Sequence, residues 1–291
     1  MRAELLAVLL CFASVGCGGD GTPDAPATTP GSTSSGTSAT TDASSTGVDP
    51  VTSTGDATGA AQTSTSGAPE PEPTRVLFIG NSYTFVNDLP GMIEGVAEGA
   101  GQPLDTAMVA VGGARLSDHV VNPDVADALD QGWDVVVIQG QSVEPVVDHD
   151  GFVQAAVELS AMVSSTNPAA ALLLYETWAR RAGDPLLDDL GMTAEQMQAA
   201  LTAGYADAAA ATMGAVAPVG QTWALALADA PQIGLFASDG SHPSRAGTYL
   251  ASCVFFRALT GADAAILETP VDGLDDADAD TIESIADALA P

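Results

Sequence analysis

Short, uninterrupted runs of aliphatic residues recur along this chain, and a helix-sized stretch separates each run from the next. Residues 76–79, 135–138 and 172–175 carry no charged or amide side chain. Such runs are typical of strands that are buried on both faces. Strands of this kind that alternate with helices predict a parallel sheet with helices packed on both sides.

The elements of this predicted sheet can be placed approximately. We expect strands at residues 76–79, 104–110, 135–138, 172–175 and 215–219. Helices are expected from about residue 88 and over residues 117–130, 151–165, 193–213, 244–259 and 281–289, the last with Asp280 as its N-cap. Ligands of parallel sheets bind beyond the carboxyl ends of the strands, so a functional site is expected among the residues that follow strands.

The N-terminal part of the chain has a different composition. An apolar run at residues 5–13 is too short to span a bilayer but suits a secretory signal. Small residues precede Cys17, as in lipoprotein signals whose cysteine becomes the acylated first residue; an ordinary cleaved signal is the alternative. Residues 18–74 are mostly small and polar, with no aromatic side chain, which predicts a disordered linker.

These features predict a signal peptide at residues 1–17, a linker at 18–74 and one folded domain at 75–291. We expect an exported protein that a lipid on Cys17 anchors to a membrane, or otherwise a secreted one.

The charge of the chain excludes some partners. There are 38 acidic residues and seven basic ones, all of them arginine, for a net charge of −31. Nucleic-acid binding needs a basic patch, and docking on anionic lipid needs one too, so neither is expected. The three cysteines have no spacing typical of disulfides or zinc, and Cys253 is expected to be a small buried apolar residue.

One serine and one histidine are candidates for catalysis. Ser82 directly follows the first predicted strand, but a serine hydroxyl needs a general base, and the base needs an orienting carboxylate. His242 lies three residues after Asp239, so one short loop can supply both groups. His119 and His149 also have aspartate neighbours, but no third ligand accompanies them, and no metal site is expected.

Four segments resemble, in order and spacing, the sequence blocks of the SGNH (GDSL-type) serine hydrolases. These segments are residues 78–84, residues 111–114, residues 134–142, and residues 239–243 with Asp239-Gly240-Ser241-His242. The first contains Gly80-Asn81-Ser82 where the family has Gly-Asp-Ser, so Asn81 stands in place of an aspartate. The resemblance extends over residues 75–259. It implies a flavodoxin-like three-layer α/β/α sandwich with about five parallel strands, and an esterase or lipase that needs no metal or other cofactor.

The resemblance also implies the role of each site residue. Ser82 is the expected nucleophile, His242 the general base and Asp239 its orienter. The backbone amides of Ser82 and Gly113 are expected to hold the oxyanion. The family usually adds an asparagine side chain from the third block, where this chain has two glutamines instead. We expect Gln139 to be that donor because the strand holds its backbone, with Gln141 as the alternative.

The expected substrate is a small acyl ester, by family analogy a carbohydrate O-acetyl ester. Lipase or thioesterase activity remains open, as does a surface lipoprotein that binds glycan on a degenerate hydrolase fold. Arg115 has two interpretations, a contact to an anionic substrate group or a salt bridge, and Trp178 could stack a sugar at the rim or belong to the core.

Overall fold

The computed structural model describes residues 72–267 and 273–289. The predicted signal peptide, Cys17 and nearly all of the predicted linker lie outside the described residues. The first strand begins at Thr74, one residue before the predicted start of the domain.

Five parallel strands form one sheet. They are β1 (Thr74–Gly80), β2 (Leu104–Ala110), β3 (Val135–Ile138), β4 (Ala171–Tyr175) and β5 (Ala215–Ala217). Their order across the sheet is β2-β1-β3-β4-β5, so the chain crosses over between β2 and β3 and places β1 near the centre. This arrangement confirms the predicted parallel α/β sandwich.

Helices connect the strands. They are α1 (Ser82–Phe85), α2 (Leu89–Gly99), α3 (Leu116–Val120), α4 (Pro123–Leu129), α5 (Glu144–Val147), α6 (His149–Thr166), α7 (Pro185–Leu190), α8 (Ala194–Thr212), α9 (Val219–Asp229), α10 (Arg245–Thr260) and α11 (Asp276–Ala288), with a 3-10 turn at Ala264–Ile266. No helix among these is long and apolar enough to cross a membrane.

The central strands are buried on both faces, as their aliphatic runs predict. In β1, Val76 and Phe78 pack into one core with α2, α9, α10 and α11, whereas Leu77 and Ile79 pack into a second core with α3, α4, α6 and α8. Successive side chains of a strand point to opposite faces, so a strand between two helical layers needs an apolar residue at every position.

Two helix predictions were wrong in their boundaries. The predicted helix 117–130 is two helices, because Pro123 lacks a backbone N–H and begins α4, with Asn122 as the N-cap. The last helix begins at Asp276 rather than at residue 281. Asp275, not Asp280, is its N-cap, and accepts a hydrogen bond from the Asp278 backbone N–H. Helices α1, α5, α7 and α9 were not predicted.

Candidate active site

A sharp turn at the end of β1 brings Ser82 to the carboxyl edge of the sheet. Ser82 is the first residue of α1, and the side chain of Asn81 caps this helix by accepting the Tyr83 N–H. Gly80 makes the turn possible, because a Cβ there would lie 2.5 Å from Thr84 Oγ1. The Ser82 side chain is half-buried, so its hydroxyl stands at the edge between sheet and solvent.

The structure brings Ser82, His242 and Asp239 together. Ser82 Oγ and His242 Nε2 are 2.9 Å apart, and His242 Nδ1 lies 2.5 Å from Asp239 Oδ2. The second carboxylate oxygen of Asp239 accepts the N–H groups of Ser241 and His242, each at 3.0 Å. The hydrogen bond from His242, together with these backbone donors, lowers the pKa of Asp239 to about 2. The carboxylate is therefore ionised at neutral pH and orients the imidazole towards Ser82.

Aromatic side chains hold the loop that carries His242. Trp178 Nε1 donates to the Ser241 carbonyl at 3.0 Å, and the Tyr83 hydroxyl shares a 2.8 Å hydrogen bond with Ser241 Oγ. Tyr83 stacks on Trp178 with ring centroids 4.5 Å apart, and its ring meets that of His242 edge to face. The residue next to Ser82 therefore also supports the loop that carries His242.

The loop after β2, residues 111–114 (the glycine loop), lies beside the turn that carries Ser82. Gly113 has a φ of 72°, a backbone conformation that favours glycine, in a turn where the Ala114 N–H donates to the Val111 carbonyl. The Ala114 carbonyl in turn accepts a hydrogen bond from Asn81 Nδ2 at 3.1 Å. Within the described part of the chain, the N–H groups of Ser82 and Gly113 donate no hydrogen bond.

The side chain of Gln139 does not point into this site. It is 1% exposed, and both hydrogens of its amide are used: Nε2 donates to Asn81 Oδ1 at 2.9 Å and to the Gly140 carbonyl. Its Oε1 accepts the Asn81 N–H at 2.9 Å and the Thr84 hydroxyl at 3.0 Å. The prediction that Gln139 donates to the oxyanion therefore does not fit the structure, because a donor whose hydrogens are already bonded has none to offer.

The sequence analysis missed the pairing of Asn81 with Gln139. Asn81 Nδ2 also donates to the Gly140 carbonyl at 3.2 Å, besides its bond to Ala114. An aspartate at this position would place a carboxylate oxygen against two carbonyl oxygens. Asn81 and Gln139 both depart from the family pattern and follow neighbouring strands, and those two coincident departures are the sequence signal that could have revealed the pair.

Gln141 is half-buried in the loop that follows β3, residues 139–143 (the third loop). Its Oε1 accepts the Val143 N–H at 2.8 Å, and its Nε2 lies 3.3 Å from Ser142 Oγ. Gln141 therefore keeps one amide hydrogen without a partner among the residues described.

Glu144 joins the third loop to the glycine loop. Its side chain is 1% exposed, and Oε2 accepts the N–H groups of Leu116 at 3.2 Å and Gln141 at 2.9 Å. Burial raises the pKa of this carboxyl. Nothing in the sequence around Glu144 distinguishes it from a surface glutamate.

The other two histidines lie elsewhere. His119 is buried; its Nε2 donates to the Gly80 carbonyl at 2.8 Å, and burial lowers its pKa, which keeps the ring neutral. His149 is paired with Asp150 and Asp207 near the surface, and hydrogen bonds to these carboxylates raise its pKa. No group of three or more potential metal ligands occurs in residues 72–267 and 273–289.

The structure decides between the interpretations of three further residues. Arg115 forms a salt bridge with Asp148, at 3.0 Å. Trp178 is 1% exposed and belongs to the core rather than to the rim. Cys253 is fully buried with a free thiol, as predicted.

Comparison with known proteins places this geometry in a family. A solved protein from Slackia heliotrinireducens assigned to the SGNH hydrolases is 32% identical to this chain, with a TM-score of 0.56 over 64% of this chain and 98% of that protein. The chain belongs to the SGNH hydrolase family.

Two more distant structures share the SGNH fold. A DUF4886 family protein from Bacteroides uniformis is 19% identical, with a TM-score of 0.62 over 75% of this chain and 94% of that one. A GDSL-like lipase from Parabacteroides merdae is 16% identical, with a TM-score of 0.53 over 64% and 95% of the two chains. Neither the protein-family profiles nor the curated proteins give a match.

Proposed function

We propose that this SGNH hydrolase cleaves a small acyl ester through an acyl-enzyme on Ser82. The observation that carries the proposal is the unbroken line of hydrogen bonds from Ser82 Oγ through the imidazole of His242 to the carboxylate of Asp239. A serine hydroxyl in such a line loses its proton to the base as it attacks. A non-catalytic glycan-binding protein has no need of this arrangement.

The reaction begins when Ser82 Oγ attacks the ester carbonyl carbon and its proton passes to His242 Nε2. The imidazolium keeps its Nδ1 proton on Asp239, whose lowered pKa maintains the negative charge that stabilises it. His242 then gives its new proton to the leaving alcohol, and the acyl group remains on Ser82. A water molecule, deprotonated by His242, releases the acid and restores the serine.

The oxyanion of each tetrahedral intermediate needs hydrogen-bond donors. The N–H groups of Ser82 and Gly113 are free for this purpose on two adjacent loops. Gln141 replaces Gln139 as the side-chain donor in this proposal, since its amide retains a free hydrogen and Glu144 holds its backbone N–H. Donors that are fixed before the reaction stabilise the oxyanion without reorganisation.

A carbohydrate O-acetyl ester is the substrate class we propose. Phe85, at the end of α1, is 40% exposed, and Val111, in the loop after β2, is 50% exposed; both lie near Ser82 and face solvent. An exposed apolar rim of this kind suits a small acyl group on a bulky alcohol that stays largely in solvent. This step extends beyond the family and rests on analogy and on that exposure.

The test is a series of p-nitrophenyl esters from acetate to laurate, followed by acetylated xylan, with wild-type protein and Ser82→Ala. We expect turnover to fall as the acyl chain lengthens, and Ser82→Ala to lose at least about 10³-fold in kcat. Equal turnover by the two proteins would exclude Ser82 as the nucleophile, and no turnover by either above the uncatalysed rate would show that the fold is degenerate. A preference for laurate would replace the acetylesterase proposal with a lipase.

The cellular location is a separate proposal. Small residues before Cys17 and the low-complexity stretch that follows support an acylated cysteine on a long tether. Full-length protein should partition into detergent, and Cys17→Ala should stay in the aqueous phase with the same esterase activity. If both proteins stay in the aqueous phase, the anchor proposal is wrong.

A further inference from the structure

A cavity of about 520 Å³ lies behind the loop of His242, and none of the three triad residues lines it. It is enclosed by the loop after β4, the start of α8, helix α9 and residues 231–236. Its wall is largely apolar and includes Trp223, Ile233, Leu235 and Phe236. The volume is in the range of small-molecule sites.

Arg180 lines this cavity without a counter-ion. Among the described residues no carboxylate lies within 4.0 Å of it, whereas Arg75, Arg115 and Arg257 each have one. Arg180 Nη2 donates to Ser142 Oγ at 2.9 Å, and Nε is buried with no hydrogen-bond partner. A half-buried charge without an ionic partner is unfavourable, and in a chain of net charge −31 its isolation from carboxylates is unexpected.

Among the other polar side chains of the cavity, Trp223 Nε1 is also buried without a hydrogen-bond partner, whereas Gln198, Arg181 and Glu195 have partners. Gln198 accepts the Ala179 N–H and donates to Glu176 Oε1, and Arg181 donates to the Ser238 carbonyl. Glu195 is exposed at the start of α8, and its hydrogen bond with Thr193 lowers its pKa. Arg180 and Arg181 both lack a carboxylate within 4.0 Å among the described residues, but Arg181 is exposed to solvent, whereas Arg180 is half-buried. The missing counter-ion is therefore more unfavourable for Arg180.

We infer that this cavity binds a small carboxylate with an apolar body. The carboxylate pairs with the Arg180 guanidinium, and the body packs on the accessible part of the apolar wall, where Leu227 is 40% exposed and Phe236 is partly exposed. A planar guanidinium matches the two oxygens of a carboxylate, and the pair supplies the counter-ion that Arg180 lacks. The apolar wall favours a monocarboxylate with a hydrocarbon body over a strongly hydrated phosphate.

The cavity is connected with the active site without being part of it. Trp223 stacks on Trp178 with ring centroids 3.9 Å apart, and Trp178 holds the carbonyl of Ser241. Phe236 forms an isolated bridge with Pro243, next to His242. A bound carboxylate therefore contacts the elements that support the base, while Ser82 remains free.

Titration calorimetry of the full chain with 4-phenylbutyrate, and with the neutral 4-phenylbutyramide, tests the inference. We expect saturable binding of the acid and at least about tenfold weaker binding of the amide, because only the acid forms the charge-assisted hydrogen bonds. Arg180→Met should lose the preference for the acid. Ser82→Ala should bind the acid as the wild type does, which separates this site from the triad and from the proposed esterase activity.

A matched pair of variants tests the position of the site without touching a buried residue. Ala224 lines the cavity on α9 and is exposed. Ala224→Glu should weaken binding of the acid several-fold, and Ala224→Gln, which differs only in charge, should not. Equal binding of acid and amide, unchanged binding by Arg180→Met, equal effects of the two Ala224 variants, or loss of binding in Ser82→Ala would each overturn the inference. Inorganic phosphate that competes at the affinity of the acid would overturn the choice of a carboxylate.

Discussion

The turn that carries Ser82 and the loop that carries Asp239 and His242 lie against each other at one edge of the sheet, but they are stabilised differently. Asn81 and Gln139 behind the serine are 2% and 1% exposed, and neutral amides satisfy each other there. The side chains of Asp239 and His242 are 48% and 36% exposed, and their contact is ionic in character.

This difference suggests that the buried amides determine the position of Ser82, whereas the exposed Asp239–His242 pair determines its reactivity. A buried amide pair with all its hydrogen bonds made fixes the place of Ser82 and carries no charge that could disturb it. In the proposed mechanism His242 gains a charge during the reaction, and partial exposure together with an ionised carboxylate makes that change less unfavourable. Substitutions on the two sides should therefore affect different quantities, stability on one side and turnover on the other.

The largest expected effect is on turnover, from the exposed side. His242→Gln should reduce kcat by at least about 10³-fold, with little change in the free energy of unfolding, because the side chain is partly exposed. Asp239→Asn should be similarly severe or somewhat milder, since the base remains but its tautomer and charge lose support. Steady-state kinetics and denaturant unfolding of each variant provide the measurements. Full activity in His242→Gln would exclude this histidine as the base.

Asn81→Asp should act on stability instead. The new carboxylate would face the carbonyls of Ala114 and Gly140, and we expect a loss of about 3 kcal/mol for an unpaired buried charge. Burial would raise its folded pKa above the unfolded value, so the loss should be greatest at high pH and shrink as pH falls and the carboxyl takes up a proton. Urea unfolding at pH 5 and pH 8 measures this.

A surface variant is the control for that substitution. Asn122 caps α4 by accepting the Asp124 N–H, a role that aspartate fills equally well. Asn122→Asp should therefore be nearly neutral in the same unfolding experiment. If Asn81→Asp were as mild as Asn122→Asp, the amide pair would not be what fixes the nucleophile.

The two glutamines of the third loop should also differ in this way, with Gln141 affecting turnover and Gln139 affecting stability. Gln141→Ala should lower kcat about 10²-fold with stability unchanged, if its free amide hydrogen supplies the side-chain oxyanion donor. Gln139→Ala should lower the free energy of unfolding by about 2 kcal/mol, because it leaves buried groups of Asn81 without partners. A stable Gln139→Ala with low kcat would restore Gln139 as the donor.

The sequence predicts those parts of the site that depend on residues close together in the chain. Asp239 and His242 are three residues apart, so a single loop determines their contact, and strand β1 determines where Ser82 emerges. The environment of Gln139 depends on Asn81, 58 residues away in the turn after the neighbouring strand β1, and no local pattern gives the direction of the Gln139 side chain.

The same distinction holds for the fold. Continuous aliphatic runs predict the central strands because burial on both faces demands them, and β2 and β3 agree with their predicted ranges. The start of α11 was misplaced because Asp275 and Asp280 are both good N-caps, and only packing chooses between them. The cavity beside Arg180 depends on the unpredicted helix α9 and on side chains from four separate segments.

The smallest expected effect is the acid dependence of stability on the triad side. The pKa of Asp239 is about 2 in the folded protein, below its ordinary value of 3.8, so the folded state holds fewer protons at this group than the unfolded state does. The stabilisation is therefore present above about pH 4 and is lost as pH falls towards 2. Urea unfolding from pH 5 to pH 2 should show wild type losing stability relative to Asp239→Asn. His242→Gln, which keeps the carboxylate but removes its partner, should lose much of this difference, and an unchanged difference would mean that the backbone N–H groups of Ser241 and His242, rather than the imidazole, lower the pKa.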